Sequence, residues 1–169
     1  RRAARAEQRI ARTLTEADYL LAVADQTRQG ALRFVREEGG PFLADKDARH
    51  VPPLVQLPAL LNAAMAVGTD KESDADLKLL LAPGSSLGGA RPKASVLDKD
   101  GHLLIAKFPQ KDDTVSIPVW EALALKLANV AGIPTPEWSL RTIADRPVLL
   151  LKRFERDAAR RMTFLSGMS

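Results

Sequence analysis

A stretch of small residues at positions 84–93 constrains the fold of this chain more than any other feature. It reads Gly-Ser-Ser-Leu-Gly-Gly-Ala-Arg-Pro-Lys, and fourteen residues after Lys93 comes Lys107, flanked by Ala106 and Phe108. Glycine allows backbone N–H groups to approach an anion closely, because no Cβ blocks them. The stretch therefore predicts a phosphate-binding loop, although it lacks the Gly-Lys-Ser/Thr ending of a Walker A motif.

The residues around Lys107 predict a hairpin that is followed by a helix. The Asp100-Gly101 pair is a turn signal between two strand-like segments, 94–97 and 102–108. Such a hairpin returns Lys107 to the side of the sheet from which the loop departs. Apolar residues at helical spacing over 116–130 then predict a helix that carries Glu121.

Further elements are predicted on both sides of this region. Thr15 and Asp18 form a capping-box pattern before a short helix, and alternating apolar residues at 31–35 predict a strand. Helices are predicted over 57–67 and 73–81. A second antiparallel strand pair is predicted after the Glu121 helix, over 138–143 and 147–151.

Four motifs in this order resemble the HipA family, the serine/threonine kinase toxins of bacterial toxin–antitoxin modules. They are Ser86 to Lys93, Ala106-Lys107-Phe108-Pro109, Trp120-Glu121, and Arg153-Phe154-Glu155-Arg156. The resemblance implies an α+β fold with two parts. Residues 83–169 would form a kinase-like small lobe, with an antiparallel sheet, one main helix and a hinge. Residues 1–82 would form a mostly helical N-terminal subdomain of HipA-like type.

The resemblance also implies a site for ATP with Mg²⁺ and assigns roles to individual residues. Ser86 would be the autophosphorylated residue, with Ser85 as its neighbouring alternative. Glu121 would orient the strand lysine, as a helix glutamate does in many kinases. The ATP-binding residues would be Gly88, Gly89, Ala90, Arg91, Pro92, Lys93, Lys107, Lys152, Arg153 and Phe154.

By the same resemblance, the chain is the ATP-binding N-terminal part of a type II toxin that phosphorylates a protein, such as an aminoacyl-tRNA synthetase. Its partners would include a HipB-like antitoxin, through which it would contact DNA indirectly. No residue here matches the catalytic base or the magnesium ligand, which are expected in a C-terminal lobe that this chain lacks. The isolated chain is therefore expected to be inactive. The alternative is a non-catalytic module of the same fold that binds an antitoxin or nucleic acid.

Composition narrows the remaining classes of protein. The chain has no cysteine and only two histidines, so the sequence offers no disulfide and predicts no metal site. No apolar run reaches the ~20 residues that cross a bilayer, and a cytoplasmic location with no membrane contact is expected. Arginines crowd both ends of the chain, and their simplest interpretation is a solvated surface.

Several residues have simpler structural interpretations that the sequence leaves open. Ser85 and Ser86 are ordinary turn formers, and Lys107 could be an edge-strand lysine that blunts aggregation. Glu121 could be a first-turn acid that the helix dipole favours. Phe154 could belong to the core or cover adenine. If a second lobe normally covers the hinge, exposed apolar side chains are expected at Leu149, Leu151, Phe164 and Leu165.

Overall fold

The computed structural model of the chain describes residues 13, 15–43, 51–81, 91–157 and 160–165. They form helices and an antiparallel sheet, so the α+β prediction is confirmed. The helices are α1 (Glu16–Ala22), α2 (Leu57–Val67), α3 (Asp74–Leu81) and α4 (Ile117–Val130), with a 3₁₀ turn at Leu54–Gln56. The strands are β1 (Lys93–Leu97), β2 (Leu103–Lys107), β3 (Trp138–Ile143), β4 (Arg146–Lys152), β5 (Arg156–Asp157) and β6 (Arg160–Arg161).

The four longer strands form one sheet in the order β1-β2-β4-β3, in which every neighbouring pair is antiparallel. The predicted hairpin is present: Lys93 pairs with Lys107, and Leu97 pairs with Leu103. Its turn requires a positive φ of 83° at Gly101, which glycine adopts without a steric penalty. The sheet therefore places Lys107 at the end of a strand with neighbours on both sides.

One face of the sheet, here called the core face, packs against α2. Its side chains alternate with those of the opposite face, as strand geometry requires. The core joins four residues of α2 to small and branched residues of β1, β2 and β4. These residues are Leu57, Leu60, Leu61, Ala64, Ala94, Val96, Leu104, Ala106, Val148 and Leu150.

The opposite face, here called the lysine face, carries the remaining side chains of the same strands. The register places Lys93 and Ser95 of β1 on this face, together with Ile105 and Lys107 of β2. Helix α4 packs against β3 and β4. The sheet thus separates an apolar core on one side from two lysines on the other.

Local signals fix the helix ends as the sequence predicts. Thr15 and Asp18 form a complete capping box, in which the Asp18 backbone N–H donates to the Thr15 side chain. Farther along the chain, α4 ends at Val130, shortly before Gly132, whose φ of 75° suits a residue after a helix end. The Gly132 N–H donates to the carbonyl of Asn129.

Two predictions about these residues are wrong. The segment 31–35 is not a strand, because its one ladder contact is an isolated bridge between Val35 and Phe42. Alternation predicts a face, but a strand also needs a partner for its backbone groups. Leu149 is fully buried, because β4 is a central strand and α4 packs against it. Phe164 and Leu165 are exposed, as expected.

Candidate functional site

Lys107 and Glu121 form an ion pair on the lysine face. Strand β2 ends at Lys107, and Glu121 lies in the second turn of α4, which begins at Ile117. The Lys107 Nζ donates to the Glu121 Oε1, and each side chain is 32% exposed. The pair therefore holds the lysine ammonium at the junction of strand and helix, with part of its surface open to solvent.

Lys93 lies directly across from Lys107 on the neighbouring strand. Burial lowers the pKa of Lys93, and the positive charge of Lys107 lowers it further, while Glu121 acts in the opposite direction. Two like charges on paired positions repel each other. An anionic ligand that contacted both ammonium groups would relieve that repulsion.

A cavity of about 250 Å³ opens beside these residues. Arg91, Lys93 and Lys107 give it three cationic side chains, and Glu121 gives it one carboxylate. Apolar residues just before β1, just after β2 and at the start of α4 form the rest of its wall: Pro92, Phe108, Ile117 and Pro118. A positive, partly apolar cavity of this kind suits an anion that also carries an apolar group.

Arg91 is held in place by Asp113, a residue that the sequence did not single out. Its Nη1 donates to the Asp113 Oδ2 at 3.0 Å, and its Nη2 lies 2.8 Å from the Oδ1. The same carboxylate accepts from the Gln110 N–H at 2.9 Å. The hydrogen bond from Arg91 and that from the Gln110 backbone lower the pKa of Asp113. Sequence could have indicated Asp113 only as a turn acid.

Lys152 is not brought to this cavity. In the register it pairs with Leu104, so strand alternation places its side chain on the core face, opposite Lys107. Its Nζ lies 3.2 Å from the Glu137 Oε1, and both residues line a separate cavity. A direct contact between the Lys152 side chain and phosphates at Lys107 is therefore incompatible with this arrangement.

The Arg153 side chain is likewise directed elsewhere. It is fully buried, pairs with Glu155, and donates through its Nη1 to the carbonyl of Thr27 at 2.7 Å. Its guanidinium is therefore not available to a nucleotide, while the predicted ATP contact of Arg153 as a hinge residue stays a prediction. The simple interpretation of this arginine as a solvated residue is wrong. Phe154 is 54% exposed and contacts Phe164 edge-on, with ring centroids 5.2 Å apart.

The remaining predicted site residues lie outside the described part of the chain. They are Ser85, Ser86, Gly88, Gly89 and Ala90. Pro92 is described, and its carbonyl accepts from the Phe108 N–H at 3.1 Å. This bond continues the β1–β2 pairing beyond Lys93, and Arg91 and Pro92 both line the cavity.

Asp98, Asp100 and His102 lie close enough together to hold a metal ion, but their contacts are those of a hairpin turn. The Asp98 Oδ1 accepts from the backbone N–H groups of Asp100 and His102, at 2.9 and 2.8 Å. The Asp98 Oδ2 lies 3.0 Å from the His102 Nδ1. These contacts account for the cluster without a ligand.

Residues 85–169 match the family model of the HipA-like C-terminal domain. No curated protein and no solved structure matches the chain. The match covers the sheet, α4 and all residues of the cavity, and it supports the family resemblance read from the motifs. The predicted boundary between residues 82 and 83 stays a prediction, as does the placement of the chain in the N-terminal half of a kinase. Among the described helices, none is long and apolar enough to cross a membrane.

Proposed function

We propose that this chain, which belongs to the HipA-like family, binds ATP and forms the nucleotide-binding lobe of a serine/threonine protein kinase. The observation that carries the proposal is the Lys107–Glu121 ion pair at the edge of a cationic cavity. A strand lysine that contacts phosphates and a helix glutamate that positions it are recurring parts of kinase nucleotide sites.

The residues of the cavity fit a polyphosphate. Arg91 and Lys93 flank the point where the predicted glycine-rich loop joins β1, and Lys107 lies opposite Lys93. Phosphate oxygens would receive charge-assisted hydrogen bonds from these groups, and Glu121 would keep the lysine ammonium in place. The apolar wall next to Phe108 and Ile117 would exclude water from one side of the ligand.

Magnesium fits the described part of this cavity less well. Glu121 is the carboxylate that lines it there, and that carboxylate is already paired with Lys107. Asp113 is nearby in the chain and is likewise paired, with Arg91. A magnesium ion that accompanied ATP would therefore need its protein ligand from another part of the enzyme, as would a catalytic base.

The biological role that we propose is the one that membership of the HipA-like family implies. The complete enzyme would act as the toxin of a type II toxin–antitoxin module, would be held by a HipB-like antitoxin, and would phosphorylate a protein such as an aminoacyl-tRNA synthetase. The location would be cytoplasmic. The alternative predicted from the sequence, a non-catalytic partner-binding module, is not favoured by any contact described above.

Calorimetric titration of the chain with ATP, with and without Mg²⁺, tests the proposal. In Lys107→Ala, the loss of a charge-assisted contact of about 1.5–3 kcal/mol would weaken ATP binding roughly 10- to 150-fold. The matched control is Lys126→Ala, because Lys126 is an exposed lysine of α4 that does not line the cavity. ATP binding of equal strength in Lys107→Ala and the wild-type chain would contradict the proposal.

A further inference from the structure

Three arginines that follow β4 donate hydrogen bonds to the segment 25–33: Arg153, Arg156 and Arg161. Arg161 donates from its Nη2 to the Asp25 Oδ2 at 2.6 Å, and the Arg33 Nε donates to the Asp25 Oδ1 at 3.0 Å. Arg156 donates through its Nη1 to the carbonyl of Gly30 at 2.8 Å. With the Arg153–Glu155 pair already described, these contacts form one cluster, here called the arginine cluster.

The arginine cluster carries an excess of positive charge. Its members are five guanidinium groups and two carboxylates: Arg28, Arg33, Arg153, Arg156, Arg161, Asp25 and Glu155. Burial lowers the pKa of Arg156 to about 10, and the charges of Arg161 and Arg153 add to that effect. The carboxylates of the cluster therefore do not neutralise its arginines.

Among the described residues, two guanidinium nitrogens of the arginine cluster are buried without a hydrogen-bond partner, the Arg28 Nε and the Arg161 Nη1. Buried donors are almost always paired in folded proteins, because an unpaired one loses its hydration without compensation. In each side chain the Nη2 is engaged: that of Arg28 donates to the carbonyls of Leu20 and Val23, and that of Arg161 donates to Asp25. The described contacts therefore leave the hydrogen-bonding capacity of the arginine cluster partly unused.

A cavity of about 180 Å³ lies against this part of the cluster. Arg156 and Arg161 supply its cationic wall, and Gln26 and His102 add polar groups. Leu97, Gly101 and Leu103 complete it. It shares no lining residue with the Lys107 cavity, and it lies at the opposite end of the β1–β2 pair, about 13 Å away at ~3.3 Å per strand residue.

We propose that this second cavity binds a tetrahedral phosphate-class oxyanion, either inorganic phosphate or a small phosphate monoester. Guanidinium groups present parallel N–H donors that match phosphate oxygens, so Arg161 and Arg156 would hold the anion between them. The side-chain amide of Gln26 can donate to its outer oxygens. The bound anion would offset the surplus charge of the arginine cluster.

His102 provides a local readout, since the chain contains only one other histidine, His50, which a His50→Gln variant assigns. Inorganic phosphate is titrated into the chain at constant pH while the imidazole signals are followed by NMR, with sodium chloride matched for ionic strength. We expect a saturable shift of the His102 signal that chloride does not reproduce. The same titration with O-phosphoserine distinguishes a free anion from an ester as the tighter ligand.

The decisive variant is Gln26→Glu, which places a negative charge at the cavity in an exposed residue. Gln29→Glu is its matched control, because it makes the same charge change at an exposed residue that does not line the cavity. We expect phosphate to bind at least tenfold more weakly to Gln26→Glu and unchanged to Gln29→Glu. Equal binding by Gln26→Glu and the wild-type chain, or no saturable His102 shift in the wild type, would overturn the proposal.

Discussion

Lys93 and Lys107 are directly opposed residues on adjacent antiparallel strands, and their side chains share one face of the sheet. Like charges in such a pair are destabilising, by an amount on the order of 0.2–1 kcal/mol relative to neutral pairs. Glu121 pairs with one of the two and moderates the repulsion. This arrangement has a physical rationale if the face binds an anion, and the predictions below follow from it.

The pH dependence of ATP binding should report the state of Lys93. Because burial and Lys107 lower its pKa, Lys93 loses its proton before the usual lysine value of 10.5 is reached. Phosphates favour the charged form, so ATP affinity should fall as pH rises through that lowered pKa. Lys93→Arg keeps its charge and should show a flatter profile between pH 7 and 10. Identical profiles for the two proteins would show that Lys93 does not contact the ligand.

Removing the counter-charge should destabilise the fold in a salt-dependent way. Glu121→Gln leaves Lys93 and Lys107 opposed without a carboxylate, and we expect a loss of about 0.5–1 kcal/mol in the free energy of unfolding, since the pair is partly exposed. The loss should shrink in 0.5 M NaCl because salt screens the repulsion. Urea denaturation measures both values. Glu137→Gln is the control, since Glu137 is an exposed carboxylate that pairs with Lys152 outside this cavity. A loss in Glu121→Gln that is independent of salt would reject the electrostatic explanation.

The buried side chain of Arg153 should contribute to the stability of the fold. Arg153→Met removes a buried cation and leaves Glu155 and the carbonyl of Thr27 without their partner. Breaking a buried pair in this way costs about 3–5 kcal/mol. Arg160→Met, at an exposed arginine, should change stability by less than ~0.5 kcal/mol. Urea denaturation curves for the two variants provide the comparison, and similar midpoints would contradict the buried network.

Ser86 stays the predicted site of autophosphorylation, with Ser85 as the neighbouring alternative. A phosphate there would add a charge of roughly −2 next to Arg91 and Lys93, and could draw the loop out of its nucleotide-bound shape. The test is mass-spectrometric mapping after the complete enzyme is incubated with ATP. Phosphate on Ser86, absent from Ser86→Ala, is the expected result. Phosphate found only on Ser95 or Thr114 would remove both loop serines from the mechanism.

Local signals predicted much of the fold. The Asp-Gly turn at 100–101, the capping box at Thr15 and the apolar stripe of α4 each depend on neighbours a few residues apart, which a sequence displays directly. The ion pair between Lys107 and Glu121 was predictable for a related reason. Because α4 follows the hairpin along the chain, its first turns lie close to the end of β2, where Lys107 is.

Long-range contacts could not be predicted in this way. The bonds from Arg153 to Thr27 and from Arg161 to Asp25 join residues more than a hundred positions apart. Nothing in the composition of either segment marks the other as its partner, so the arginines were interpreted as surface residues. The face of the sheet that carries the Lys152 side chain is a further long-range property, because it depends on the register of β4 against β2.

The relative affinity of the chain for ATP and AMP tests the central claim most directly, because the claim is that Lys107 recognises the phosphates. In the wild-type chain ATP should bind more tightly than AMP, since ATP carries more phosphate charge toward the three cations of the cavity. Lys107→Ala should reduce that preference by about tenfold or more, which corresponds to a loss of at least ~1.4 kcal/mol. An unchanged ATP-to-AMP ratio in Lys107→Ala would contradict the account.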